Sequence, residues 1–295
     1  MALRVATRGS ELARHQTELV VARLAVDAEI VVVTTTGDRR TDTPIHTLGG
    51  TGVFVKEVQE AVLAGRADVA VHSAKDLPSM TAPGLVLAAI PERGDPRDAL
   101  VGAALDALPT GARVGTGSVR RRAQLAHRRD DLTFGELRGN IATRLEKVAH
   151  FDAVVVAAVA LDRLELSERI AERLDPRVML PQVGQGAIAV ECRADDTATR
   201  GALDAIDDVD AHAAVAAERA FLAQLGGGCN LPCAALARVV DGTIEIDALL
   251  ASLDGRIALR ARASGTDPEA VGVAVAAQLL DDHGGRLLLD EGVTA

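Results

Sequence analysis

Short apolar runs alternate with amphipathic stretches along most of the chain, the pattern of strands and helices taken in turn. Leu3 to Thr7 reads as a strand, and Ser10 offers the N-cap of a helix reaching about Ala25. Glu29 to Thr36 is rich in β-branched residues and predicts a second strand. Thr43 to Gly52 has no apolar period and holds Pro44, Gly49, Gly50 and Gly52, so it reads as a mobile loop. A helix over Phe54 to Ala64 and a buried strand over Asp68 to Ser73 complete this unit.

A second unit of the same grammar begins near residue 98. It predicts strands over 112–116, 133–137 and 153–157, with helices from Ser118, from Asn140 and over 161–174. Turn-forming stretches at Pro91 to Pro96 and Leu180 to Gly186 flank it, and a further strand follows at Ala187 to Cys192. Two such crossings imply an inserted domain, so residues 1–94 and 187–206 form domain 1 and residues 95–186 domain 2. The continuous apolar strands predict parallel sheets covered on both faces. Beyond residue 207 the pattern changes. A helix over Ala211 to Leu225 stops at three glycines. Asp241-Gly242 and Asp254-Gly255 then join three alternating strands, and a last helix covers Pro268 to Asp282. The expected fold class is therefore α/β with a discontinuous first domain, plus a small α+β domain over 207–295 with a three-stranded antiparallel sheet.

Composition narrows the function. The chain has 295 residues, which suits two or three domains at about 100–200 residues each. Its net charge of -10 argues against a general polyanion binder, and 1% aromatic residues with no Trp or Tyr exclude a stacking reader of single-stranded nucleic acid. The longest wholly apolar run, Ala153 to Leu161, is too short to cross a bilayer. The N-terminus is charged where a signal peptide needs an apolar stretch, and three cysteines make no disulfide framework. The expected setting is a reducing cytosol, with neither nucleic acid nor membrane as a partner.

Arginine stands where helices begin. Arg8 precedes Ser10, Arg120 and Arg121 fall in the first turn after Ser118, Arg138 precedes Asn140, and Arg144 follows one turn later. Cations at a helix N-terminus are disfavoured by roughly 0.3–1 kcal/mol each, so their repetition asks for a compensating anion. Backbone N–H groups at such turns together with guanidinium forks make a site for carboxylate or phosphate. In open α/β sheets these turns lie where ligands bind. A cleft taking a molecule with many negative groups follows. Arg122, Arg128 and Arg129 read instead as surface partners of acids.

Asp76, in His72-Ser-Ala-Lys-Asp-Leu-Pro78, ends a strand in the same cleft. A carboxylate there suits an N–H of a ligand that gains positive charge, though pairing with Lys75 explains it equally well. His72 reads as a packed strand-end histidine. Cys192 alternates with Ile188 and Val190 and reads as an inert core thiol. Cys229, in the loop Gly226-Gly-Gly-Cys-Asn-Leu-Pro232, reads as an accessible nucleophile or attachment point. Cys233 lies four residues on, but the other ligands of a zinc site are missing from the neighbourhood.

In order along nearly the whole chain, eight segments resemble the porphobilinogen deaminase (hydroxymethylbilane synthase) family. They are Thr7-Arg-Gly-Ser-Glu-Leu-Ala, Phe54-Val-Lys-Glu, His72-Ser-Ala-Lys-Asp-Leu-Pro, Gly115-Thr-Gly-Ser-Val-Arg-Arg, Leu137-Arg-Gly-Asn-Ile-Ala-Thr-Arg-Leu, Leu180-Pro-Gln-Val-Gly-Gln-Gly, Glu191-Cys-Arg and Gly227-Gly-Cys-Asn-Leu-Pro. The resemblance implies two domains like periplasmic solute-binding proteins and a small third one. It implies a monomer that condenses four porphobilinogens, with loss of ammonia, into hydroxymethylbilane. The growing chain would be primed by a dipyrromethane cofactor bound to Cys229 through a thioether. Asp76 would be catalytic. Lys75, Ser118, Arg120, Arg121 and Arg144 would hold the cofactor, and Arg8, Ser10, Gln16, Lys56, Arg138 and Arg163 the substrate, with no metal. Two positions depart from the family: Thr51 stands where its loop often carries lysine, and Cys233 where an apolar residue is common.

Overall fold

The computed structural model describes residues 2–35, 54–226 and 231–292. The loop expected over 43–52, with Thr51, and the candidate Cys229 therefore lie outside the described residues. The chain opens with β1 (Leu3–Arg8), α1 (Glu11–Val21), β2 (Ala28–Val33), α2 (Lys56–Leu63), β3 (Val69–Ser73) and β4 (Leu85–Ala89). It crosses to a second sheet through β5 (Asp98–Val101), β6 (Arg113–Gly115), α3 (Val119–Arg128), β7 (Thr133–Gly135), α4 (Ile141–Glu146), β8 (Ala153–Ala157), α5 (Ala158–Arg163) and β9 (Glu172–Arg173). It then returns as β10 (Ile188–Arg193), followed by α6 (Thr197–Leu203) and α7 (Val209–Gln224). A meander of β11 (Cys233–Val240), β12 (Thr243–Ala251) and β13 (Ala258–Gly265) precedes α8 (Pro268–Ala277) and α9 (Arg286–Gly292).

Both large sheets have five strands, ordered β2-β1-β3-β10-β4 and β7-β6-β8-β5-β9. Each contains three parallel strands and is completed by antiparallel pairing: β10 runs against β3 and β4, and β5 against β8 and β9. The purely parallel sheets expected from the sequence are thus mixed, because the strands that arrive across the domains enter from the opposite end. Successive residues serve opposite faces. Val5 packs with Val20, Val69 and Val190, whereas Ala6 packs with Val58, Val62 and Ala70. Val155 and its neighbours Val154 and Val156 divide the second sheet in the same way. The third sheet lies against α7 and α8, with Phe221, Ile246 and Val275 in the layer between.

The helix expected over 161–174 does not form. Helix α5 ends at Arg163, Glu165 takes a left-handed conformation (φ 57°), and Glu172 and Arg173 become an edge strand on β5. The open side of β5 offers main-chain groups whose pairing outweighs the local helical spacing. The first helix also stops earlier than expected, at Val21.

The two crossings run side by side. Gly94 N donates to Gly186 O at 3.2 Å, and Arg93 Nε to Gln185 O at 3.0 Å. Gly186 has a φ of +92°, and a Cβ there would stand 2.5 Å from Gly94 O, so only glycine lets the two backbones approach this closely. Gly184, at φ +71°, packs its backbone against Ala74 and Lys75, which fixes the turn carrying Lys75 and Asp76. Glu218 of α7 binds both crossings to the third sheet. It accepts from Arg93 Nη1 at 2.6 Å, Gly184 N at 2.7 Å and Ala237 N at 2.8 Å, and is fully buried.

Candidate active site

Between the sheets a cleft is lined by Lys75, Asp76, Ser118, Arg120, Gln182 and Arg219, with Leu77, Val183, Leu222, Leu231 and Cys233 as its apolar wall. Its parts come from all three sheets. A 3-10 turn at Ala74–Asp76 continues β3 and presents Lys75 and Asp76. Ser118 caps α3 by accepting from Arg121 N at 3.4 Å, which sets the first turn holding Arg120 and Arg121. Helix α7 brings Arg219 and Leu222.

Asp98, at the start of β5 and fully buried, organises the arginines. Its Oδ1 accepts from Arg121 Nε at 3.0 Å, Arg121 Nη2 at 2.8 Å and Gln185 Nε2 at 3.0 Å, and its Oδ2 pairs with Arg120 Nη1 at 2.7 Å. Although burial alone would raise it, the two guanidiniums hold this carboxyl far below the usual range. Arg121 gives its remaining Nη1 to Val155 O at 2.9 Å and so faces the protein. Arg120 differs. Its Nη1 also reaches Leu180 O at 2.6 Å, but Nε and Nη2 are buried without a hydrogen-bond partner among the described residues. From the sequence, the anion answering these arginines was expected in a ligand; Asp98 supplies one negative charge for two positive ones.

Lys75 does not pair with Asp76. Its ammonium donates to Gln185 Oε1 at 3.4 Å, and burial, reinforced by Arg121, drives it down to about 8. Asp76 and Asp98 oppose that fall. Arg144 donates Nε to Gly139 O at 2.9 Å and is lowered to about 10, first by burial and then by the charges of Arg121 and Arg138; Asp76 acts against them. Electrostatically, then, Lys75, Asp76, Arg121, Arg138 and Arg144 form one group.

Other expected residues lie further out. Arg8 stacks over the Phe54 ring at 4.1 Å. Ser10 caps α1 by accepting from Ala13 N. Gln16 is buried and exchanges hydrogen bonds with Ser73 Oγ at 2.9 and 3.0 Å, which anchors the end of β3 just before Asp76. Lys56 is exposed, 3.9 Å from Glu60. Arg163 donates to Gly186 O at 2.8 Å, is lowered to about 10 by burial, and lines a second recess with Arg14 and His15. His72 faces Glu191 Oε2 at 3.3 Å in the interior, and burial pushes the Cys192 thiol up to about 11. Sequence reading missed Asp98, Gln185 and Arg219, because their partners come from distant segments.

Comparison with known proteins covers almost the whole chain. Residues 3–201 match the family model described as the dipyromethane cofactor binding domain of porphobilinogen deaminase, and residues 212–281 match its C-terminal domain. A porphobilinogen deaminase of Roseiflexus sp. (strain RS-1) is 47% identical over 296 residues, covering 97% of each chain. One from Acidothermus cellulolyticus is 48% identical over 300 residues, covering 97% of this chain and 91% of its own. Among solved structures, the ligand-binding component of an ABC-type import system from Staphylococcus aureus is similar at 10% identity and a TM-score of 0.37, over 75% of this chain and 73% of its own. The chain belongs to the porphobilinogen deaminase family, transferases of tetrapyrrole biosynthesis built around a dipyrromethane cofactor.

Proposed function

We propose that this chain joins four porphobilinogen molecules head to tail, releasing one ammonia per unit, on a dipyrromethane held through Cys229, and frees linear hydroxymethylbilane by hydrolysis. One observation carries the assignment of roles: Asp76 shares its cleft with Lys75, Arg120 and Arg219, and Arg120 keeps two buried donors unmatched. The cavity fits the cofactor by chemistry. A linear dipyrrole is apolar along its rings and carboxylated at their edges, and the cleft pairs an apolar wall with cationic side chains.

When bound, the dipyrromethane supplies the pyrrole carbon to which an incoming unit is joined. The chain's residues act on the porphobilinogen. Its acetate and propionate meet guanidinium and ammonium donors, each charge-assisted contact being worth about 1.5–3 kcal/mol. Loss of ammonia leaves an electron-poor carbon conjugated to the pyrrole nitrogen. The Asp76 carboxylate accepts a hydrogen bond from that N–H and stabilises the positive charge as it develops. Lys75, beside it, neutralises substrate carboxylate while it remains protonated. Arg121 and Gln16 act as positioning residues, the first through Asp98 and Arg120, the second through Ser73.

Residues 1–94 with 187–206, 95–186 and 207–295 serve as the three working domains in this reading, with the cleft at their junction. The enzyme would act in the cytosol as a monomer without nucleic acid, which suits its net charge of -10 and the cysteines 192 and 233 outside disulfides. No helix among the described residues is long and apolar enough to cross a membrane. The test is to incubate the purified chain with porphobilinogen and follow ammonia and tetrapyrrole together. Four ammonia per hydroxymethylbilane supports the reading; substrate binding without ammonia release rejects it.

A further inference from the structure

We propose that Arg219 is a further anion-binding residue of the cleft, taking a carboxylate of the bound pyrrole chain from the α7 wall. The proposal rests on the deaminase reading and deepens it. Arg219 is only 9% exposed and lines the cleft together with Leu222, one turn further along the same face of the helix. Its Nη2 donates to Thr81 Oγ1 at 3.3 Å, but its Nη1 is buried with no hydrogen-bond partner among the described residues.

No carboxylate among the described residues contacts the guanidinium. Glu218, next in sequence, is engaged by Arg93, Gly184 and Ala237. Glu191 acts on Arg219 only at a distance and is itself held by Gln59 Nε2 at 2.8 Å beside His72. Burial therefore presses on an unneutralised cation, which is costly to keep unless a ligand completes it. The surrounding surface says which ligand. Leu222, Leu231 and Cys233 give an apolar bed for a flat ring, while Lys75 and Arg120 in the same cleft repel any cation. A carboxylated pyrrole satisfies both conditions. Helix α7 ends at Gln224, five positions before Cys229 in the sequence.

The test uses Arg219→Met and Arg219→Lys, each with Cys229 intact and in a Cys229→Ser background that cannot load pyrroles. Intact-protein mass gives the loaded fraction, and thermal melting gives the gain in Tm on loading. Arg219→Met should leave the unloaded form as stable as before or more so, because an uncompensated buried charge is gone. It should reduce the Tm gained on loading by about 3–10 °C and lower the loaded fraction, with Arg219→Lys restoring part of both. An equal drop in both backgrounds would assign Arg219 a structural role through Thr81 and overturn the proposal. An unchanged Tm gain with full loading would overturn it too. Absence of any pyrrole mass on the unsubstituted chain would reject the deaminase reading itself, and the proposal with it.

Discussion

Arg120 and Asp98 form a buried ion pair, Nη1 to Oδ2 at 2.7 Å, that ties the first turn of α3 to the start of β5. Since Arg121 shares the same carboxylate, the cluster carries one more positive charge than negative. Asp98→Asn would leave two guanidiniums buried without a counter-charge. The expected loss is about 3–5 kcal/mol of stability, read from urea unfolding. Adding Arg121→Met should recover part of it, and a double substitution no more stable than Asp98→Asn alone would contradict the shared-carboxylate account.

Asp76 tests the chemistry separately from the fold. It is half-buried, and its carboxylate makes no hydrogen bond among the described residues. Asp76→Asn should therefore change stability by about 0.5 kcal/mol or less, while turnover falls by about 10²–10³-fold. Single-turnover rates with porphobilinogen check this. Near-normal turnover would remove Asp76 from the mechanism.

Lys75 sets a pH dependence with a definite sign. Its ammonium loses its proton near 8 in the folded chain, against 10.5 ordinarily. Between those values the unfolded chain binds more protons than the folded one, so this group makes stability rise with pH from about 8 to about 10.5. Pyrrole binding should move the other way and weaken above about pH 8 as the cation is lost. Melting curves of the Cys229→Ser form over that range, with and without Lys75→Met, isolate the effect, because the substitution should flatten the rise.

The cysteines separate by mass. Cys229→Ser should lack the increment of about two pyrrole rings expected from a chain primed by a dipyrromethane. Cys192→Ser should keep it, since burial holds that thiol protonated up to about 11. Cys233→Ser should keep it as well, its side chain being part of the apolar wall. Intact-protein mass spectrometry decides all three, and a retained increment in Cys229→Ser would move the attachment elsewhere.

Local chemistry made much of this legible beforehand. Ser10, Ser118 and Asn140 were identifiable as helix caps from their hydroxyl or amide just ahead of an amphipathic run, and each side chain caps its helix. The Asp-Gly turns at 241 and 254 marked the third sheet, because Asp241, Gly242 and Gly255 take left-handed conformations that favour those residue types whatever surrounds them. The stretch 161–174 was misread because its spacing of leucines suits a helix, while the empty edge of β5 had no trace in the local sequence.

Residue order alone determined the alternation of elements, the arginines at helix starts and the acid at the end of β3, since each depends on groups a few positions apart. Tertiary structure decided which of those arginines keep donors unmatched beside the cleft. Arg121 has all its donor nitrogens taken by Asp98, 23 residues away, and Val155 O, whereas Arg120 shares Asp98 but keeps two donors unmatched among the described residues, and Arg219 enters the cleft from a helix of the third sheet. Guanidinium chemistry is the same at every position. Whether every donor of a guanidinium already has a partner depends on how distant segments pack, and that separates an arginine used up by the fold from one with donors left over.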